Sequence, residues 1–227
     1  MTAAPQSIVF LGASGAVGQC ALKALLETPQ ATEVTTLGRR VIEELASQKL
    51  KQHIVDIHDP ASYQALLPGH RAAMCTLGVG QPSKVSRAEF IKTDKDAVLA
   101  FAISCKANGI KHFQLLSAVG ANATALSFYL RSKGELNDAL IALKFERLSI
   151  FQPSMILTPI NRYGVMQALT LAIWPKLDWL LIGRLQSFRG VTSTGLGLVM
   201  VRNLFAEGDL SKPVEMLEWI DFRALAR

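Results

Sequence analysis

At 227 residues, half of them hydrophobic and 19% charged, the chain has the balance of a folded globular protein and is neither disordered, fibrous nor disulfide-stapled. The formal charge of +6 comes from lysines and arginines scattered without a basic run, which favours small anionic ligands, and no nucleic-acid partner is expected. Cys20, Cys75 and Cys105 are odd in number, far apart and set among apolar neighbours, so they read as buried free thiols of a reducing compartment. The four histidines lack ligand spacing and cysteine partners, and no metal is expected.

The chain starts MTAAPQS, without the basic beginning and apolar core of a signal peptide, and a cytoplasmic place is expected by default. From there short apolar runs alternate with longer helical patterns, as in parallel strands joined by crossover helices. Strands are predicted at residues 7–11, 34–37, 53–55, 72–76, 113–116 and 148–151, and helical patterns at 15–27, 60–67, 87–108 and 126–143. Runs such as Ile8-Val9-Phe10-Leu11 are continuously apolar, as strands covered on both faces must be. A ligand of such a sheet lies outside the carboxyl ends of its strands.

The first of those ends carries Gly12-Ala13-Ser14-Gly15-Ala16-Val17-Gly18. One glycine permits the tight turn, a second lets backbone amides approach a pyrophosphate, and a third lets the new helix pack closely on the sheet. Ala16 and Val17 open that helix, whose positive end faces the phosphates. The expected fold is therefore α/β, a Rossmann-type doubly wound parallel sheet. It is expected as a single domain over residues 1–227, with a small region at about 154–192 covering the substrate side.

At the end of the second strand, where an acidic residue would hold the ribose of NAD, the sequence reads Leu37-Gly38-Arg39-Arg40. Two guanidiniums suit a 2′-phosphate, and Ser14 would add a hydroxyl, so NADP(H) is expected over NAD(H); solvated arginines are the bland alternative. After the third strand, Asp56 would meet the adenine amino group and Ile57 its ring, although Asp56 could equally cap a turn before Pro60. After the fourth, Thr76-Leu77-Gly78 would bring backbone against the ribose.

The candidate chemistry lies in Tyr129-Leu130-Arg131-Ser132-Lys133 and in Ser117 at the end of the fifth strand. Residues four apart share a helix face, and an ammonium beside a phenol favours phenolate. Tyr129 would exchange a proton with a substrate oxygen, and Ser117 would hydrogen-bond the same atom. Asp94 and Asp96, two apart on a predicted helix, point in different directions and make a poor paired-carboxylate site. Arg184 and Arg189 could meet an acidic substrate, or be solvated.

The residues Gly12 to Gly18, Arg39-Arg40, Cys75-Thr76-Leu77-Gly78, the run 111–117, Tyr129 to Glu135 and Phe151-Gln152-Pro153 together resemble an atypical short-chain dehydrogenase/reductase. The likeness is closest to the branch of the Tat-interacting protein and its bacterial relatives. The resemblance implies a catalytic set of Ser117, Tyr129 and Lys133, with Lys133 also holding the nicotinamide ribose and Pro153 bordering the nicotinamide. The implied activity is NADPH-dependent hydride transfer to or from a small carbonyl or alcohol; the rival is an NADPH-binding regulatory or interaction module without turnover.

Two departures stand out: Ser117-Ala118 replaces a pair of serines, and the asparagine of the usual proton relay has no clear counterpart near Thr93 and Asp94, which suggests proton delivery through water. Only 74 residues follow Pro153, few for the substrate lobe of a nucleotide-sugar epimerase. The apolar stretch 163–182 is interrupted by Lys176 and Asp178, too short for a membrane span, and is expected as a buried or substrate-covering helix pair and a surface for a homodimer.

Overall fold

The side chains of Ile8, Val9, Phe10 and Leu11 are all fully buried, and strand alternation sorts them. Ile8 and Phe10 join the core on one face of the sheet, Val9 and Leu11 the core on the other. The computed structural model describes residues 6–158, 183–209 and 211–227. Its strands are β1 (Gln6–Leu11), β2 (Ala31–Gly38), β3 (Leu50–Ile54), β4 (Ala72–Cys75), β5 (His112–Leu116), β6 (Arg147–Phe151), β7 (Ile156–Leu157), β8 (Val191–Thr192) and β9 (Val214–Leu217). Seven of them form one parallel sheet in the order β3-β2-β1-β4-β5-β6-β9. The chain leaves β1 toward β3 and then crosses back to β4, so a crevice opens where the order reverses, at the carboxyl ends of β1 and β4. This is the doubly wound Rossmann-type arrangement that the sequence predicts.

The helices are α1 (Ala16–Glu27), α2 (Arg87–Ile91), α3 (Ala97–Ala107), α4 (Phe128–Ala142), α5 (Ser193–Phe205) and α6 (Trp219–Leu225), with a π-helical turn at Lys92–Asp96 between α2 and α3. Helix α1 stops at Thr28, whose extended ψ of 122° is what a following proline, here Pro29, imposes. It meets α5 at backbone distance: a Cβ on Gly197 would lie 2.7 Å from the Ala21 nitrogen.

Residues 60–67 differ from the predicted helix and form two 3-10 turns, Pro60–Ser62 and Gln64–Leu66. Asp59 caps the first by accepting from the Ala61 amide, and the segment is too short to wind further. Strand β9 and helices α5 and α6 are additions to the sequence reading. Of the expected cover at 154–192, β7 and β8 pair in a separate parallel ribbon. Residues 159–182, with the apolar stretch and its proposed dimer surface, lie outside the described residues. Among the described residues no helix is long and apolar enough to cross a membrane. Cys75 and Cys105 are buried free thiols, whereas Cys20 is half-buried beside Ser193. Burial pushes the Cys75 thiol up to about 12.

Candidate active site

The crevice is a cleft of about 560 Å³. It draws its walls from the glycine loop, the end of β2, the exit of β4 and the start of α4, and from Ser117 after β5. Gly12 turns the chain with φ +92°, and a Cβ there would lie 2.5 Å from the Leu77 nitrogen, so only glycine fits. Its carbonyl accepts from the Gly15 amide at 3.0 Å and from the Thr76 hydroxyl at 2.9 Å. Gly18 does not line the cleft; a Cβ on it would come within 2.2 Å of that same carbonyl, which is the close helix packing expected of a third glycine.

Helix α1 begins without a side-chain cap on Gly15 and without an acidic residue in its first turn. The amides of Ala16 and Val17, which have no partner four residues back, therefore present partial positive charge that the protein leaves uncompensated. Ser14, Gly15, Ala16 and Val17 all line the cleft. An anionic phosphate group fits this terminus on the structure's own terms.

Arg39 and Arg40 are exposed at the cleft margin and make no ion pair among the described residues. Ile57 is buried and forms wall, as do Thr76, Leu77 and Gly78. Asp56 is exposed outside the lining residues, and its Oδ1 accepts from the His58 amide at 2.9 Å, which is the local turn role weighed against adenine binding. Pro153 is likewise not a lining residue; it is buried, and its carbonyl accepts from Val119 at 3.0 Å. With the Ser117 amide donating to Phe151 at 2.8 Å, this ties the exits of β5 and β6 together and fixes Ser117.

Tyr129 and Lys133 reach the cleft from α4, and a Cβ on Gly134 would lie 2.1 Å from the Asn122 carbonyl carbon, so the helix is pressed against the preceding loop. Tyr129 is half-buried with its ring 5.6 Å from that of Phe90. Lys133 Nζ lies 3.0 Å from Asp94 Oδ1, with the two side chains only 6% and 4% exposed. Asp94 Oδ2 also accepts from the Val79 amide at 2.7 Å. A buried carboxylate thus holds the lysine from the π-helical turn, close to where no counterpart of the relay asparagine was legible. Asp96 is exposed, so the two aspartates form no pair. Ser117 Oγ donates to Asn137 Oδ1 at 3.0 Å, and the buried Asn137 Nδ2 has no partner among the described residues. Sequence reasoning missed both Asp94 and Asn137. Asn137 had a signal, since it extends the four-residue spacing of Tyr129 and Lys133 along one helix face.

Among the described residues no group of three His, Cys, Asp or Glu side chains could hold a metal ion. Arg189 lies with its guanidinium 4.7 Å from the Trp219 ring centre.

Residues 12–148 match the family model described as NAD(P)H-binding. The chain is similar to the protein HTATIP2 of Rattus norvegicus, 38% identical over 67% of this chain and 63% of that protein, so the aligned part spans less than two thirds of the relative. It is also similar to the mitochondrial protein FMP52 of Candida albicans, 29% identical over 77% of this chain and 79% of the relative. Among solved structures, the Bordetella bronchiseptica enzyme WbmH in complex with NAD+ shares the fold, with a TM-score of 0.69 over 94% of this chain and 76% of that one at 17% identity. The cytoplasmic expectation is corrected here: FMP52 relatives from several yeasts are named mitochondrial, so the segment MTAAPQS does not assign the compartment.

Proposed function

The chain belongs to the NAD(P)H-binding family of atypical short-chain dehydrogenase/reductases, on the branch that includes HTATIP2. On that premise we propose that it is an NADP(H)-dependent oxidoreductase acting on the carbonyl or alcohol group of a small molecule. The observation that carries this reading is that Tyr129, Lys133 and Ser117 line the same cleft as the uncapped start of α1 and as Arg39 and Arg40, which make no ion pair among the described residues.

In this reading the loop amides and Ser14 hold the pyrophosphate, and the two arginines take the 2′-phosphate in forked contacts. Ile57 packs on the adenine, Asp56 accepts from its amino group after a turn of its side chain, and Thr76 to Gly78 meet the ribose. Lys133 holds the nicotinamide ribose, Pro153 backs the ring, and residues 154–192 cover the substrate. The bound nicotinamide supplies or accepts the hydride. Tyr129 gives its proton to the carbonyl oxygen in reduction and takes it from the hydroxyl in oxidation, with water restoring the phenol. Asp94 keeps the Lys133 ammonium in place, and Ser117 orients the reacting oxygen once its hydroxyl turns to it from Asn137.

Screening carbonyl compounds with the purified protein while following NADPH absorbance tests the proposal. Turnover that Tyr129→Phe removes supports it, and turnover unchanged in that variant refutes it. Equal affinity for NADPH and NADH by calorimetry would refute the assignment of the phosphorylated cofactor.

One observation favours the rival reading of a binding module: the Ser117 hydroxyl donates to Asn137 and so offers no proton toward the cleft, with Ala118 where a second serine would stand. In that case NADPH binds and no carbonyl compound is reduced.

A further inference from the structure

A second depression of about 330 Å³ adjoins the cleft and shares Pro82 and Tyr129 with it. That volume lies within the range of small-molecule sites. Three rings build it: the buried Phe90 stands edge-on to Phe128 at 5.7 Å and tilted to Tyr129 at 5.6 Å. Above them Arg87 sits with its guanidinium 5.1 Å from the Phe128 ring centre. Arg87 is exposed and has no carboxylate partner among the described residues.

We propose that this depression is the substrate subsite and that it selects a planar aromatic carbonyl compound bearing a carboxylate, with the rings taking its body and Arg87 its charge. The inference rests on the oxidoreductase reading and deepens it. An aromatic wall of tilted rings matches another flat ring in the offset and edge-on geometries that aromatic pairs prefer. A guanidinium held over a ring is fixed in orientation and still has a fork of donors to give to a carboxylate. The sharing of Tyr129 between the two depressions is what brings the carbonyl of such a compound to the proton donor.

The test uses 4-carboxybenzaldehyde and its neutral methyl ester with NADPH. The acid should be reduced with a kcat/KM at least about tenfold above the ester, the effect of one charge-assisted contact. Arg87→Met should bring that ratio to about one. Because both aldehydes are compared in the same preparation, partial unfolding cannot imitate the result. Equal rates for acid and ester in the natural protein, or a ratio unmoved by Arg87→Met, overturns the subsite.

If the carbonyl screen yields a substrate and neither of these aldehydes is reduced, the subsite is overturned; if NADPH binds and no compound of the screen is reduced, the oxidoreductase reading has failed, and the subsite is judged by calorimetry with benzoate on the NADPH-loaded protein. Benzoate binding weakened at least about tenfold by Arg87→Met upholds anion recognition at the aromatic wall. The absence of benzoate binding at millimolar concentration overturns it.

Discussion

Near the amino ends of β5, β6 and β9, the buried imidazole of His112 lies 2.8 Å from Ser149 Oγ, and Ser149 donates to Glu215 at 2.7 Å. The same carboxylate receives Arg147 through two nitrogens at 3.0 and 3.1 Å and Asn203 at 3.1 Å. At the opposite ends of the strands, Arg39, Arg40 and the first amides of α1 line the cleft and have no such arrangement among the described residues. Both regions are polar and built on the same strands. The difference teaches that a polar cluster whose members satisfy one another serves the fold, while groups left unsatisfied at a crevice are suited to a ligand. The first cluster contains a serine, a histidine and a glutamate, but the serine lies between the other two, so the imidazole is not oriented by the carboxylate as nucleophile activation requires.

The contrast can be broken at either end. Tyr129→Phe should lower kcat about 10³-fold with NADPH affinity kept, read by steady-state kinetics and cofactor fluorescence. Glu215→Gln should do the reverse: removing one partner of a largely buried ion pair should lower stability by about 2–3 kcal/mol in urea denaturation, with the NADPH dissociation constant unchanged. Replacing Arg39 and Arg40 together by alanine should weaken NADPH binding about tenfold with little change for NADH, and calorimetry with both cofactors measures the ratio.

The smallest effect is a pH slope. Burial, reinforced by the charge of Arg147, pushes His112 down from its ordinary 6.5 to about 3. Between those values the unfolded chain binds a proton that the native protein does not, so stability falls as pH drops below about 6.5. Urea melts at pH 7 and 5.5 should differ by about 1 kcal/mol through His112, and His112→Gln should reduce the slope, leaving the part due to His70, which burial also pushes down. Glu215 acts further down: burial alone would raise it, but hydrogen bonds from Arg147, Asn203 and Ser149 hold it below its ordinary value. Its contribution is present above the unfolded carboxylate range and is lost as pH falls through its lower native value.

Much of the sheet was legible because doubly covered parallel strands are written as unbroken apolar runs, as at Ile8 to Leu11 and Ala72 to Cys75. Strand β9 was not, since its Val-Glu-Met-Leu is an edge with Met216 exposed and Glu215 turned into the polar cluster. The glycine loop and the Tyr129–Lys133 spacing could be read because local geometry alone demands them. Asp94 could not. An ordinary helical period already sets it on the opposite side from its exposed neighbour Asp96, but its partners, Lys133 and the Val79 amide, come from other parts of the chain and leave no local signal. For Asn137 the helical spacing gave its face, but its role depends on Ser117, 20 residues earlier.

Near and distant residues converge on one oxygen atom, the Gly12 carbonyl, which is gripped by Gly15 of the same loop, by Thr76 after β4 and, through sheer closeness, by Gly18. The loop thereby arrives already moulded, and a guest docking there has little backbone left to rearrange. It also fastens the lip of β4 to the mouth of α1: Thr76, 64 positions along the chain, braces the turn that leads into the very amides that would greet a phosphate.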